Sequence, residues 1–183
     1  MTPVKTTNMP TISHIVLIIT ATTTALISGL FYAWSCSVVP GLARVSDSTY
    51  LEAMQQINRA ILNPVFFMSF IGTALLLPLS AWLHYGPELN ARFWLLLLAS
   101  VVYLAGTFGV TMLGNVPLND ALDAFNLSAA SVQELAAQRA RFEAPWNNLN
   151  IIRTIAGVAT LVLIILACLS PAAETTRPPV VYR

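Results

Sequence analysis

The sequence predicts an all-α membrane protein, a four-transmembrane-helix bundle with two extra short helices capping one face. Apolar residues make up 56% of the 183 residues and charged residues only 9%, whereas a soluble domain has about 25% charged residues. Four continuous apolar runs are each long enough to cross about 30 Å of hydrocarbon. The two long connections between these runs have amphipathic patterns with helix-capping residues. The lipid bilayer is therefore the predicted environment.

The four predicted spans cover about residues 15–39, 64–82, 93–113 and 151–169. They are continuous runs, which favours helices over the short alternating strands of a membrane barrel. A short turn with Gly86 and Pro87 joins the second and third spans, so these two are antiparallel neighbours. The two long connections then lie on the same side of the membrane. We expect one domain over residues 14–170, with mobile tails at 1–13 and 171–183.

Capping residues predict a helix in each long connection. Thr49 and Glu52 in the first connection have the spacing of a capping box, and Ser131 and Glu134 repeat that spacing in the second. The second amphipathic run is expected to end at Ala144-Pro145. Both helices are predicted to pack over one mouth of the bundle.

Small residues predict where the helices approach one another. Ala105 and Gly109 in the third span have small-xxx-small spacing, and Gly157 lies beside Ala156 in the fourth. Such positions allow two backbones to come close where lipid removes the hydrophobic drive for association. We interpret them as packing positions.

Charge gives weaker information on topology and partners. The terminal side has Lys5, Arg92, Arg177 and Arg183 on short segments, and this higher basic density favours termini in the cytoplasm. The net charge is only +1 and there is no Lys/Arg run, so no nucleic-acid partner is predicted. The sequence has no signal for the oligomeric state.

Polar residues that are not required to form a helical bundle are concentrated beside the two long connections. Arg153 follows Asn150 by three residues on the fourth span, and Asn147 shares the Asn150 face. An arginine at the membrane edge costs several kcal/mol unless it is paired or hydrated, so Asp120 or asparagine carbonyls are its expected partners. A polar pocket is predicted from Asn58, Arg59, Asn63, Asn115, Asn119, Asp120, Trp146, Asn147, Asn150 and Arg153.

These features also have structural interpretations, which the sequence leaves open. Asn63 before a proline is typical of a helix start, and Asn115 followed by Pro117 and Asp120 fits the same pattern. Arg153 can reach the lipid headgroups with its long side chain. Tryptophans near helix ends are typical of an interfacial aromatic belt.

Several cofactor chemistries are not supported by the pattern. The only histidines, His14 and His84, are expected on the terminal side, away from the polar cluster. The sequence contains no HExxH, CxxC, Walker or GxGxxG motif. We therefore predict neither a metal nor an organic cofactor.

Four ordered motifs resemble the anthrone oxygenase-like family of small four-helix membrane proteins, over about residues 15–169. The motifs are Phe31-Tyr32-Ala33-Trp34-Ser35, Met54-Gln55-Gln56-Ile57-Asn58-Arg59 with Asn63-Pro64, Gly114-Asn115-Val116-Pro117-Leu118-Asn119, and Trp146 with Asn150 and Arg153-Thr154. Characterised fungal members of that family oxidise anthrones to anthraquinones with molecular oxygen, without metal or flavin. The resemblance thus implies a cofactor-independent oxygenase acting on a hydrophobic aromatic or quinol-like molecule.

The resemblance also implies roles for individual residues. Asp120 would be the general base, Arg153 would stabilise the substrate anion, and hydrogen bonds to the enolate oxygen would come from Asn58, Asn63, Asn119 and Asn150. The chain departs from the pattern of many members at Leu149, where they have an aromatic residue, and at Ile151, where some have histidine. The competing hypothesis is a non-catalytic binding or assembly protein in which the Asn/Arg motifs are structural. A transporter is disfavoured because the spans contain no acid for ion coupling.

Overall fold

The computed structural model describes residues 11–86 and 90–170. Within these ranges the chain forms helices and no strand, and four helices are long and apolar enough to cross a membrane. The predicted all-α bundle is therefore confirmed. The predicted tails fall mainly in residues 1–10 and 171–183, which lie outside the described residues. The helices are α1 (Ile12–Leu42), α2 (Asp47–Ala60), α3 (Pro64–Leu83), α4 (Ala91–Asp123) and α5 (Val132–Leu169).

The four long helices form a ring in the order α1, α3, α4, α5, so that each is antiparallel to both of its neighbours. Ile27, Leu77, Leu96 and Ile164, one from each helix, are fully buried at the centre. Many large apolar side chains are exposed on the outside of the ring. Because an apolar exterior of this extent requires lipid as its solvent, the chain is a multi-pass membrane protein.

The short helix α2 covers the end of the bundle near the long connections. Its N-cap is Ser46, which accepts a hydrogen bond from the Thr49 backbone at 3.3 Å, three residues before the predicted cap. Tyr50 and Met54 are buried against Leu122 of α4 and the adjoining part of α5. A second apolar core therefore lies beyond the transmembrane one. Burial in this core raises the pKa of the Tyr50 phenol above its usual range, and Glu143 raises that pKa further.

The second insertion is not a separate helix. Ser131 and Glu134 form the predicted capping box, but α5 then runs without a break through Pro145 to Leu169. The expected end before Pro145 is wrong because the flanking residues Phe142 and Trp146 stack at 6.3 Å between ring centroids and are both buried in the second core. This packing outweighs the one backbone hydrogen bond that a proline removes.

Helix α4 also continues beyond its predicted end, and its turns are partly π-helical. The wider turns cover Tyr103–Gly109 and Thr111–Asn115, and the helix ends at Asp123. Tyr103, Thr107, Thr111 and Asn115 are all buried although they are spaced by four residues. In a regular α-helix such a series would rotate away from the core, and π turns prevent this rotation.

In this π-helical part of α4, the close contact with α5 is at Gly106 and not at the predicted Ala105. A Cβ atom added at Gly106 would lie 2.6 Å from the Ala156 Cβ, whereas Ala105 is exposed and Gly109 meets only its own helix. The predicted pair in α4 is therefore wrong by one residue. Gly157 is a contact position as predicted, because an added Cβ there would lie 3.0 Å from the Ser28 hydroxyl of α1.

At the opposite end of the bundle, Arg92 joins the start of α4 to the end of α5. Its Nε donates to the Ala167 carbonyl at 2.9 Å and its Nη2 donates to the Ser170 carbonyl. These carbonyls are at the C-terminus of α5, where no intrahelical donor is available. Arg92 is thus a capping residue, in addition to its contribution to the basic charge of this side.

Candidate functional site

A cavity of about 70 Å³ lies at the long-connection end of the bundle, enclosed by parts of all five helices. Its walls are mainly apolar and aromatic, and Phe31 and Trp34 of α1 form one of them. The polar side chains that line it are Asn58, Thr111, Asn119 and Arg153. An apolar cavity with a few convergent polar groups is typical of a small-molecule site.

Arg153 lines this cavity and contacts two aromatic rings. Its side chain is only 7% exposed, and its Cζ lies 4.4 Å from the Phe31 ring centroid and 4.9 Å from that of Trp146. Nε donates to the Asn150 side-chain carbonyl at 3.0 Å. In the described part of the chain, neither terminal nitrogen of Arg153 has an acceptor within hydrogen-bond distance. The guanidinium therefore keeps donors for a ligand in the cavity.

A chain of hydrogen bonds sets the orientation of Asn150. Its Nδ2 donates to the Ser35 hydroxyl at 2.9 Å, and this hydroxyl is 2.9 Å from that of Thr154. The Thr154 hydroxyl in turn lies within hydrogen-bond distance of the carbonyls of Phe31 and Asn150. With its amide nitrogen engaged in this way, Asn150 presents its oxygen to Arg153. The network fixes the arginine without supplying a negative charge.

A second arginine on α5 shows what a fully bonded guanidinium is like in this fold. Arg139 lies 4.5 Å above the Tyr50 ring and is mostly buried. It forms ion pairs with two carboxylates and donates to three backbone carbonyls in the turn before α2. These acceptors are Asp47, Glu143, Leu42, Ala43 and Val45. All three side-chain nitrogens of Arg139 thus have structural hydrogen-bond partners, whereas among the described residues Arg153 has an acceptor only at Nε.

Two asparagines add unpaired donors to the cavity wall. Asn58 Nδ2 is buried and has no hydrogen-bond partner among the described residues. Asn119 accepts from the Trp146 indole nitrogen at 2.8 Å through its oxygen, which leaves its amide nitrogen available. Asn115 is fully buried next to this region, where its Nδ2 is 3.4 Å from the Trp146 carbonyl, but it does not line the cavity.

Besides Asn115 and Asn150, four further predicted site residues do not line the cavity. Asp120 is exposed, and its side chain forms neither an ion pair nor a hydrogen bond with the described residues. The partner of Arg153 is consequently an asparagine carbonyl and not Asp120, because α4 continues as a helix and turns Asp120 away when Asn119 faces Trp146. The other three have positions of their own: Arg59 pairs with Asp123 at the surface, Asn63 caps α3, and Asn147 is half-buried.

Several residues of the site, four that line the cavity and one that orients Asn150, were not among the sequence candidates. Phe31 and Trp34 belong to one of the four motifs that resemble the anthrone oxygenase-like family. An aromatic residue in an apolar span is common, however, so the sequence did not indicate that they line a site. Ser35 orients Asn150 from a π-helical stretch, Trp34–Val38, that the sequence did not predict. Phe66 and Thr111 look like ordinary packing residues in the sequence.

Comparison with known protein families identifies the group to which this chain is related. Residues 65–163, more than half of the chain, match the family model described as anthrone oxygenase. The chain belongs to the anthrone oxygenase family. No curated protein and no solved structure matches it significantly.

The match to the anthrone oxygenase family includes only part of the cavity. Asn119, Trp146, Asn150 and Arg153 lie inside the matched range, and so do most of α3 and all of α4. The α1 and α2 residues of the site lie before it. Within residues 11–86 and 90–170, no group of three His, Cys, Asp or Glu side chains is arranged to hold a metal ion.

Proposed function

We propose that this member of the anthrone oxygenase family is a cofactor-independent oxygenase acting on a hydrophobic aromatic or quinol-like molecule. The observation behind the proposal is the buried guanidinium of Arg153, which borders a cavity and is paired with no carboxylate among the described residues. A buried charge of this kind is costly and is expected to find its counter-ion in a ligand. Preorganised donors of this type stabilise an anion that develops during a reaction.

The proposed reaction converts a doubly benzylic CH2 group into a carbonyl. Loss of one proton gives an enolate, whose oxygen is held by Arg153 with Asn58 and Asn119. The enolate transfers one electron to O2, and the resulting carbon radical and superoxide combine into a peroxide. Cleavage of the O–O bond with loss of the second carbon-bound hydrogen as a proton gives the ketone, so that CH2 and O2 yield C=O and H2O.

The acceptor of the first proton is proposed to lie at the cavity mouth. No carboxylate or imidazole is among the lining residues, and Arg153 would lower the pKa of the bound carbon acid by stabilising its anion. The proton is then able to leave through water. Asp120, which directly follows the lining residue Asn119 and is exposed, is the carboxylate proposed to receive it.

Oxygen consumption tests this proposal directly. Purified protein in lipid nanodiscs would be mixed with emodin anthrone, and O2 uptake would be followed together with quinone absorbance. We expect a rate above the spontaneous oxidation and one O2 consumed per quinone formed. A rate equal to that of protein-free nanodiscs would refute the oxygenase proposal.

The second candidate is a non-catalytic protein that binds a hydrophobic anion. It is favoured by the absence of a side-chain proton acceptor among the lining residues. The two candidates differ in turnover: a binding protein would saturate with emodin anthrone without increasing the O2 uptake. Binding without turnover would therefore select this candidate.

We also propose that both termini face the cytoplasm, which places the cavity on the outer side of the membrane. In a variant whose Cys36 and Cys168 are replaced by serine, Ser48→Cys on the exposed face of α2 is expected to react with a membrane-impermeant maleimide in intact cells. Thr175→Cys in the C-terminal segment is expected to react only after permeabilisation. The reverse pattern would invert the proposed orientation.

A further inference from the structure

We propose that the ligand is an amphiphile whose acidic aromatic head lies at Arg153 and whose hydrocarbon chain lies in a groove between α1 and α3. This inference rests on the proposed function, because it assumes that the cavity binds an anionic head. The hydrocarbon chain is the second half of the proposed ligand, and the position of the groove gives the direction from which the ligand reaches the site.

The groove adjoins the cavity on the lipid-facing side of the bundle. It encloses about 280 Å³ between α1 and the first two turns of α3. Leu30, Ile61 and Phe66 line both the groove and the cavity. The two spaces are thus separated by a single layer of side chains, and a ligand in one of them contacts the wall of the other.

The groove has no unpaired polar group to offer to a ligand. Its two polar side chains, Asn63 and Ser69, form hydrogen bonds along their own chain segment: Asn63 caps α3 and donates to the Ala60 carbonyl, and Ser69 donates to the Val65 carbonyl. The remaining lining is aliphatic or aromatic. A hydrocarbon chain fits this surface, whereas the neighbouring cavity has the unpaired donors of Arg153 and Asn58 that a polar head requires.

The groove opens toward lipid. Leu26 and Val65, on its two sides, are 61% and 70% exposed on the apolar exterior of the ring. From Asn63 to Ser69 the groove follows six residues of α3, a length of about 9 Å. A chain of similar length would lie beside α3 with its far end among the acyl chains of the bilayer, so the ligand would approach laterally from the membrane.

Binding of a matched ligand pair tests the proposal. The probes are the methyl and octyl esters of 4-hydroxybenzoic acid, which share a phenolic head and differ in chain length. Binding to protein in nanodiscs would be measured by tryptophan fluorescence at pH 9, with each concentration expressed as mole fraction in the lipid. We expect the octyl ester to bind about tenfold more tightly, since occupancy of the groove keeps its head at the cavity.

Blocking the groove should remove only the advantage of the chain. Ser69→Trp is expected to equalise the affinities of the two esters and to leave methyl ester binding unchanged. Met68→Trp is the matched control, because Met68 is exposed on the same helix outside the groove, and it should preserve the preference. Leu26→Trp fills the groove from the α1 side and repeats the test if Ser69→Trp does not fold.

The outcomes separate this inference from the proposed function. Equal affinity of wild-type protein for the two esters would overturn the amphiphile proposal, with ordinary lipid as the occupant of the groove, and would leave the anion site intact. A preference that survives both groove-filling variants would overturn it as well. Failure of both esters to bind would contradict the anion site itself.

Discussion

Replacing Arg153 with methionine is expected to lower kcat/KM for anthrone oxidation by about 10²–10³-fold, the usual effect of removing one oxyanion donor. Methionine fills the space between the Phe31 and Trp146 rings with an apolar, polarisable chain. It removes the charge that would stabilise the enolate. Oxygen uptake with emodin anthrone provides the rate, and displacement of a phenolic ligand provides the affinity.

The fold should tolerate this change, because the variant removes a buried charge that has one protein acceptor among the described residues. Arg153→Lys separates charge from geometry: it keeps the cation but loses the planar group that lies between the rings. We expect the lysine variant to retain more activity than the methionine variant and less than wild type. If the methionine variant keeps activity within about threefold of wild type, Arg153 has no role in catalysis.

Replacing Arg139 with methionine is expected to reduce the stability of the protein by about 2–3 kcal/mol, as for the loss of buried hydrogen bonds to charged groups. Arg139 joins α5 to the turn between α1 and α2 through two carboxylates and three carbonyls. Without it, these acceptors lose a donor next to the buried Tyr50. Thermal unfolding in detergent should show a Tm lower by roughly 5–10 °C.

Arg141 is the matched control for this prediction. It lies two residues from Arg139 on the same helix and is exposed, and its side chain forms no hydrogen bond or ion pair with the described residues. Arg141→Met should therefore leave Tm within about 1 °C of wild type. Equal shifts for the two variants would show that Arg139 does not act as a specific structural link.

The transmembrane architecture was predictable because its cause is local and additive. Each span needs only a sufficient length of apolar residues, and one side chain more or less does not change the outcome. The boundaries were less predictable. Pro145 looked like a helix end and Pro117 like a helix start, but both lie inside continuous helices. Beside Pro145, the packing of Phe142 against side chains that are distant in sequence, such as Tyr50, outweighs the local preference.

The position of the candidate cavity at the long-connection end of the bundle, and part of its lining, could be predicted from the sequence. Asn119, Trp146 and Arg153 stand out because polar or amphipathic groups at a membrane edge need partners. Phe31 did not stand out, since an aromatic residue within an apolar span is the ordinary case. Its position beneath the guanidinium depends on how α1 packs against α5, which no local pattern encodes.

The sequence by itself determined that this chain crosses the membrane four times and gathers its polar groups at one end, because hydropathy and span order do not depend on packing. The tertiary structure alone decided which of these groups meet. π-helical turns in α1 and α4 set the faces that Ser35 and Asn115 present, and Asn150 reaches Arg153 while Asp120 does not. Side-chain encounters depend on helix rotation and register, and a shift of one residue turns a side chain by about 100°.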